Sequence, residues 1–309
     1  MGWPLRMFVP GEIYLVTKRC IHGRYLLRPS TRTNEVLGGV LARAVRLTGV
    51  EVFAFAFASN HMHLLVRAPL GNLPRFMQHL ATNVSKKIGL LTGWRGAFWE
   101  RRYSAEPVLD DAALLERVCY LLAHGVKEGA VRCCEEWPGL SSLRLMLDGK
   151  PRTFPWFDWT RRSNSSELSR KRSRFDDQWV HQEELALTPL PIESLRERAA
   201  LLRFLRRAAA AIERKAAGTY RRVLGVAGVL RQRPQYRPAR PERKPRPLCH
   251  TTLEALREEY RERYRAFTAA FREASIRWKA GDFQAQFPER AFRPFLWPTA
   301  PPAPAQLAA

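Results

Sequence analysis

Three things are scarce in this 309-residue chain: long apolar runs, patterned cysteine and acidic side chains. No apolar run reaches 18 residues, which excludes a membrane-spanning helix of the usual kind, and residues 1–10 lack the apolar stretch of a secretory leader. A cytoplasmic protein is therefore expected. The five cysteines, Cys20, Cys119, Cys133, Cys134 and Cys249, are odd in number and contain no Cys-x-x-Cys pair. That pattern supports neither a disulfide framework nor a zinc ribbon and leaves buried free thiols. Acidic residues number 29 against 52 basic ones, a formal charge of +23. Such an excess points to phosphate backbones as partners, or less often to an anionic membrane surface.

The excess is unevenly shared. Residues 1–150 carry 20 basic and 12 acidic side chains, and residues 151–309 carry 32 and 17. Composition shifts at the same place, from alternating strand-like and helix-like patterns to helix-like segments broken by proline and arginine. We expect two domains, 1–150 and 151–309, with a chain this long able to bury a sizeable core.

Within the first half, residues 12–17 are rich in β-branched and aromatic side chains and predict a strand. Val36, Leu37, Val40, Leu41, Ala44 and Val45 recur at helical spacing over residues 32–48, with Thr33 or Asn34 as the cap. Residues 52–58 alternate Phe with Ala, predicting a strand with Phe53, Phe55 and Phe57 on one core face. Ser59-Asn60 reads as a short turn into a second strand, so the two form an antiparallel hairpin. Leu73, Phe76, Met77, Leu80, Val84 and Ile88 mark another amphipathic helix. The order strand, helix, strand, strand, helix predicts an α+β class, a ferredoxin-like antiparallel sheet with helices over one face.

The strand after the turn reads His61-Met-His63-Leu-Leu-Val66. Alternate strand residues share a face, so both imidazoles project the same way, about 7 Å apart along the chain. That spacing suits metal chelation, and it also arises by chance on ordinary strands. Residues 111–128 then form a helical pattern with Leu114, Leu115, Val118, Leu121 and Leu122 on one side. Glu116, Tyr120, His124 and Lys127 fall on the opposite side, with Tyr120 and His124 one turn apart. Two readings stay open for this helix: a nucleophilic tyrosine beside a metal, or a tyrosine packed on the sheet with a surface histidine.

His61-Met-His-Leu-Leu-Val, Gly96-Ala-Phe-Trp-Glu-Arg-Arg-Tyr103 and Tyr120-Leu-Leu-Ala-His124-Gly-Val-Lys-Glu-Gly129 stand in the order of three motifs of a known family. Over residues 8–145 the chain resembles the REP-associated tyrosine transposases, single-tyrosine HUH transposases of the insertion-sequence 200 type. The resemblance implies a ferredoxin-like nuclease domain that cuts and rejoins single-stranded DNA. His61 and His63 match the metal ligands and Tyr120 the nucleophile. Such relatives usually carry Asn or Gln four residues after the tyrosine, often followed by Pro; here His124 and Gly125 stand there. An imidazole can replace the amide oxygen as a third ligand, moving preference from Mg²⁺ toward Mn²⁺ or softer ions, zinc included. The resemblance further implies a divalent cofactor, Mg²⁺ or Mn²⁺, and a 5′-phosphotyrosyl intermediate. It also implies hairpin or palindromic DNA ends as partners, a nucleoid association through that DNA, and a monomer rather than a homodimer.

Lys86 and Lys87 end the second helix, and Arg101, Arg102 and Tyr103 follow Trp99, a mixture of cations and aromatics suited to phosphate neutralisation and base stacking. With Lys127 beside the tyrosine, these are the candidate DNA contacts. In the second half, residues 161–171 read as a polar loop. Residues 192–217 and 219–230 read as two helices parted by Gly218, a helical hairpin in preference to a helix-turn-helix. Residues 231–248 form an extended Pro/Arg linker that lies along DNA, and residues 251–280 a long helix with Tyr260, Tyr264, Phe267, Phe271 and Trp278. Phe287, Phe292 and Phe295 suggest a docked tail, and residues from 298 on a disordered one.

Rival chemistries fail on residues. A histidine-triad hydrolase needs a third alternating histidine where Leu65 stands, and a metallo-β-lactamase-like nuclease needs Asp and His where Leu64 and Leu65 stand. A replication initiator or relaxase-like nickase would share the histidine pair and tyrosine. A domesticated DNA-binding protein would have had no need to keep them.

Overall fold

The computed structural model describes residues 5–165, 177–239, 247–289 and 291. Contacts gather the chain into two compact units, residues 10–257 and, separately, the residues through 9 with those from 258 onward.

The larger unit is built on four antiparallel strands: β1 (Ile13–Arg19), β2 (Glu51–Phe57), β3 (His61–Arg67) and β4 (Ser104–Val108), in the order β2-β3-β1-β4. With α1 (Thr31–Thr48) between β1 and β2, and α2 (Leu73–Thr92) between β3 and β4, this is the expected α+β, ferredoxin-like arrangement. A third helix, α3 (Asp111–Leu122), follows β4. Period-two alternation gives β3 two characters. Leu65 joins Leu15 in a core cluster with Leu114, Val118 and Leu121 of α3. Met62, Leu64 and Val66, fully buried, turn to the other face. There α1 and α2 pack on each other and add nothing to the cluster beneath α3.

Two local readings change. The α1 cap is Ser30, whose hydroxyl accepts from the Thr33 amide, rather than Thr33 or Asn34. The phenylalanine stripe is also split, because the β2–β3 register slips between Val52 and Ala54 and leaves Phe53 as an extra residue. Phe53 therefore joins Ala54 and Ala56 in the cluster under α3, whereas Phe55 and Phe57 lie outside it.

Past α4 (Leu143–Asp148), a second small sheet pairs β5 (Arg152–Phe157) with β6 (Val180–Leu185) and packs on α1. A short helix, α5 (Trp159–Ser163), opens the connection between them, and the rest of the expected polar loop lies outside the described residues. Glu183, almost wholly buried, is held by Arg43 at 2.7 Å and Arg46 at 2.8 Å. Hydrogen bonds from Arg46 and Arg43 keep its carboxyl below the usual range against the opposing effect of burial.

Next come α6 (Arg198–Thr219) and α7 (Gly225–Arg231). Helix α6 runs through Gly218, which does not break it as expected, and residues 220–224 make the break instead. Residues 232–239 are non-helical, as proline spacing requires, while 240–246 lie outside the described residues. The smaller unit is carried by α8 (Glu254–Lys279), whose Tyr260, Tyr264, Phe267 and Phe271 rings form a ladder. Phe287 docks on Phe271 and Trp278. Phe292, Phe295 and the tail from 298 lie outside the described residues. Among those described, no helix is long and apolar enough to cross a membrane.

Helix α1 and β5 approach each other closely. A β-carbon on Gly39 would stand 2.3 Å from the Pro155 carbonyl oxygen, and one on Gly38 2.2 Å from the Phe154 ring. Gly39 meets backbone, which cannot swing aside. Gly39→Ala should therefore lower unfolding stability by about 1–2 kcal/mol in denaturant titration, overpacking outweighing the ~1 kcal/mol alanine gains in helix propensity. A gain in stability would mean that the β5–β6 hairpin does not press on α1 there.

Candidate active site

Strand register builds the site before any helix arrives. Antiparallel pairing sets Thr17 of β1 opposite His63 and Arg19 opposite His61. Thr17 Oγ1 lies 2.7 Å from His63 Nδ1 on the face that α3 covers. Helix α3 begins at Asp110, whose carboxylate accepts from the Ala113 amide and is itself held by Thr251 and Thr252. It delivers Tyr120 with its hydroxyl 3.3 Å from His63 Nε2. The tyrosine is half-buried and packed against the α3 core cluster, so the expected solvent-side placement does not hold.

Nor does the helix reach residue 128. It stops at Leu122, and the chain turns through residues 123–129 with Gly125 at φ 91°, a left-handed conformation disfavoured for other residues. A β-carbon there would also meet the Trp137 ring at 2.5 Å. This turn carries His124 inward, to 3 % exposure. Its ring stacks on His63 with centroids 4.7 Å apart and meets His61 at 5.0 Å, while His61 and His63 are 4.8 Å apart. One donor atom from each of the three histidines lies within 4.8 Å of the other two.

Hydrogen bonds behind the rings decide which nitrogen faces inward. Asn60 Nδ2 donates to the Gly23 carbonyl at 3.1 Å, so its Oδ1, 2.6 Å from His61 Nδ1, can only accept. His61 thus carries its proton on Nδ1 and presents the Nε2 lone pair. Thr17 can hold His63 in the same tautomer. Neither ring nitrogen of buried His124 makes a hydrogen bond; Nδ1 stands 3.5 Å from Glu128 Oε1. An unsatisfied buried nitrogen costs about 1–3 kcal/mol, a deficit that a metal ligand bond removes. Nitrogen ligands at about 2.1 Å from a divalent ion require only modest closing of this cluster.

Electrostatics agree with that donor set. Burial, then the other histidines and nearby cations, holds His61 and His63 well below the ordinary imidazole range. Burial also lowers His124, against the opposing Glu128 carboxylate. These shifts all favour the neutral, ligating form. Burial raises the Tyr120 phenol, and Glu128 adds to this while Arg117 opposes it. Lys127 sits with its ammonium 3.3 Å from the Tyr120 ring centroid and is lowered by burial to about 8, with Glu128 pulling the other way. Burial alone would raise Glu128, but His124, Lys127 and the Gly125 amide together hold it low.

His61, His63, Tyr120, His124 and Lys127 are thus brought together. The segment with Arg101, Arg102 and Tyr103 runs beside the His61 end of β1, tied by Glu100 N to the Arg19 carbonyl at 3.0 Å and by Lys18 Nζ to the Arg101 carbonyl at 3.0 Å. Lys86 is exposed on α2. Lys87 is elsewhere: its ammonium donates to the Phe157 carbonyl at 2.6 Å and lies 3.9 Å from the Trp156 ring centroid, against β5. Thr17, Asn60 and Glu128 were missed by sequence reasoning. Only Thr17 left a signal, its place in the strand alternation; Asn60 reads as a turn residue and Glu128 as surface charge.

Two solved structures share 18% identity with the chain. One, a REP-associated tyrosine transposase bound to a REP hairpin, aligns over 48% of this chain and 86% of its own with a TM-score of 0.42. The other, a candidate transposase from Deinococcus radiodurans R1, aligns over 39% and 95% with a TM-score of 0.29. Among curated proteins none matches. Residues 24–118 match the family described as IS200-like transposase, a span that includes His61 and His63 and stops two residues before Tyr120. Over that span, about a third of the chain, the sequence is similar to IS200-like transposase domains.

Proposed function

We propose that this chain is a single-stranded DNA endonuclease and strand transferase in which Tyr120 is the nucleophile and His61, His63 and His124 hold a divalent ion. The observation that carries the reading is the 3.3 Å approach of the Tyr120 hydroxyl to His63 Nε2, beside two further neutral imidazoles, in a transposase-family domain. In the forward step the phenol loses its proton and its oxygen bonds to phosphorus. The 3′ oxygen of the preceding nucleotide leaves and takes up a proton. The products are a 5′-phosphotyrosyl adduct and a free 3′-hydroxyl, and attack by another 3′-hydroxyl reverses the step with no loss of bond energy.

The residues divide the work. A phenol raised by burial needs nearby positive charge to ionise; Lys127 over the ring and Arg117, with its guanidinium 5.7 Å from the ring centroid, supply it. Helix α3 and the 123–129 turn fix Tyr120 and His124 against β3, so attack begins from an ordered geometry. A bound divalent ion supplies Lewis-acid neutralisation of the phosphate oxygens. With three imidazole donors the site favours Mn²⁺ or a softer ion over Mg²⁺. Arg101, Arg102, Tyr103 and Lys86 are the DNA contacts of this reading, the target being a hairpin or palindromic end.

Two measurements test it. An oligonucleotide labelled at its 3′ end should leave its label on the protein through denaturing electrophoresis, and a 5′-labelled one should not. Tyr120→Phe should abolish the adduct, and equal labelling of variant and wild type would sink the assignment. Separately, Thr17→Val should keep the thermal melting temperature of the metal-free chain yet weaken Mn²⁺ binding by about 10- to 100-fold in calorimetric titration, the usual cost of losing a group that orients a ligating histidine. Unchanged affinity would show that Thr17 does not orient His63.

A further inference from the structure

Residues 232–238 do not hang free as a linker; they are strapped to the rim of the site. Gln232 Oε1 accepts from Ser59 Oγ at 2.6 Å, Gln235 Nε2 donates to the Thr92 carbonyl at 2.7 Å, and Arg24 donates to the Gln235 carbonyl. The Tyr25 amide donates to the Tyr236 carbonyl at 3.3 Å, and Arg28 to the Leu230 carbonyl at 2.6 Å. Ser59 and Asn60 form the turn that opens β3, and Asn60 is the partner of His61, so the strap ends one residue from a candidate ligand's support.

What the strap displays is specific in chemistry. Tyr236 is 54 % exposed and lies against Tyr25 with ring centroids 5.3 Å apart. The Arg24 guanidinium stands 5.1 Å from the centroid of Trp94. Arg231, Arg233 and Arg237 are exposed on the strap, with Arg95 exposed beside Trp94. Segments 20–28, 93–98 and 230–239, which compose this surface, contain no Asp or Glu. An exposed Tyr236 ring, with half-buried Tyr25 and Trp94 beside it and arginines around them, fits one ligand well. Unpaired bases stack on the rings, and the arginines neutralise the phosphates between them. A duplex offers the charge but not the base faces.

We propose that the Tyr25–Tyr236–Trp94 surface is a stacking platform for unpaired nucleotides of a single strand on its way into the site. This rests on the reading of the chain as one that handles single-stranded DNA, and it gives the Pro/Arg strap a role in seating that strand. The test measures binding of fluorescein-labelled oligothymidylate by anisotropy, in a Tyr120→Phe background and without added metal, so that cleavage plays no part. Tyr236→Ala should weaken binding about tenfold, within the range for loss of one base stack, and Tyr236→Phe should stay within about twofold. The Ala variant should lose nothing on an abasic strand of equal length. Arg233→Gln with Arg237→Gln should flatten the logarithmic salt dependence by about 1.4, two phosphate contacts at about 0.7 each. This double variant keeps the proposal exposed even if Tyr236→Ala misfolds. Equal affinity of Tyr236→Ala and its parent for oligothymidylate, the same loss on the abasic strand, or an unchanged salt slope would overturn the platform. Failure of the wild-type chain to form an adduct would instead sink the tyrosine chemistry and leave this binding result standing.

Discussion

The pairing of β1 with β3 is the constraint on which the site depends. Because Thr17 falls opposite His63, the hydroxyl that orients the imidazole and the imidazole itself are set by one ladder of backbone hydrogen bonds. A slip of one residue would turn His61, His63 and Leu65 toward α1 and α2 and bring Met62 and Leu64 under α3. That slip is heavily penalised, since Met62, Leu64, Leu65 and Val66 are all fully buried. At roughly 1.5–3 kcal/mol per buried large apolar side chain, the hydrophobic pattern of β3 holds its polar members in place. The same alternation that makes the strand stable therefore fixes where its two histidines stand.

Polar groups gathered under α3 are individually unfavourable there. Three buried imidazoles, a phenol and an ammonium have all been moved by burial toward their neutral forms. Glu128 alone is held ionised, and it faces both His124 and Lys127. The pocket is thus rich in imidazole lone pairs, with Lys127 and Glu128 as its charged pair, whereas the chain as a whole carries +23. Long-range attraction for a polyanion and a local need for a cation are different properties. In the proposed reading, surface arginines supply the first and the histidine cluster the second.

How much of this was legible follows the range of the interactions. Period-two and period-3.6 patterns are local, and they made β1, β2, β3, α1 and α2 readable along with the shared face of His61 and His63. The bulge at Phe53 was not, because an alternating Phe-Ala run looks the same with or without one extra residue in the ladder. Asn60 and Glu128 take their meaning from residues brought near by a turn, and Gln232 from a serine 173 positions away. The β5–β6 hairpin on α1 was invisible for a related reason. Its fit depends on two adjacent glycines that look, in sequence, only like weak points in a helix.

His124 shows the difference most clearly. In an unbroken helix it would lie one turn beyond Tyr120 on the same stripe, aimed along the helix rather than at the sheet. Because α3 ends at Leu122 and Gly125 adopts a left-handed conformation, the chain folds back at the point where the helical stripe would have carried on. The bend lowers His124 onto His63 and returns Lys127 over the Tyr120 ring. A longer helix would hold Tyr120 just as well but would leave both of its companions displaced. The helix end, not the helix, is what assembles the third histidine and the cation with the tyrosine.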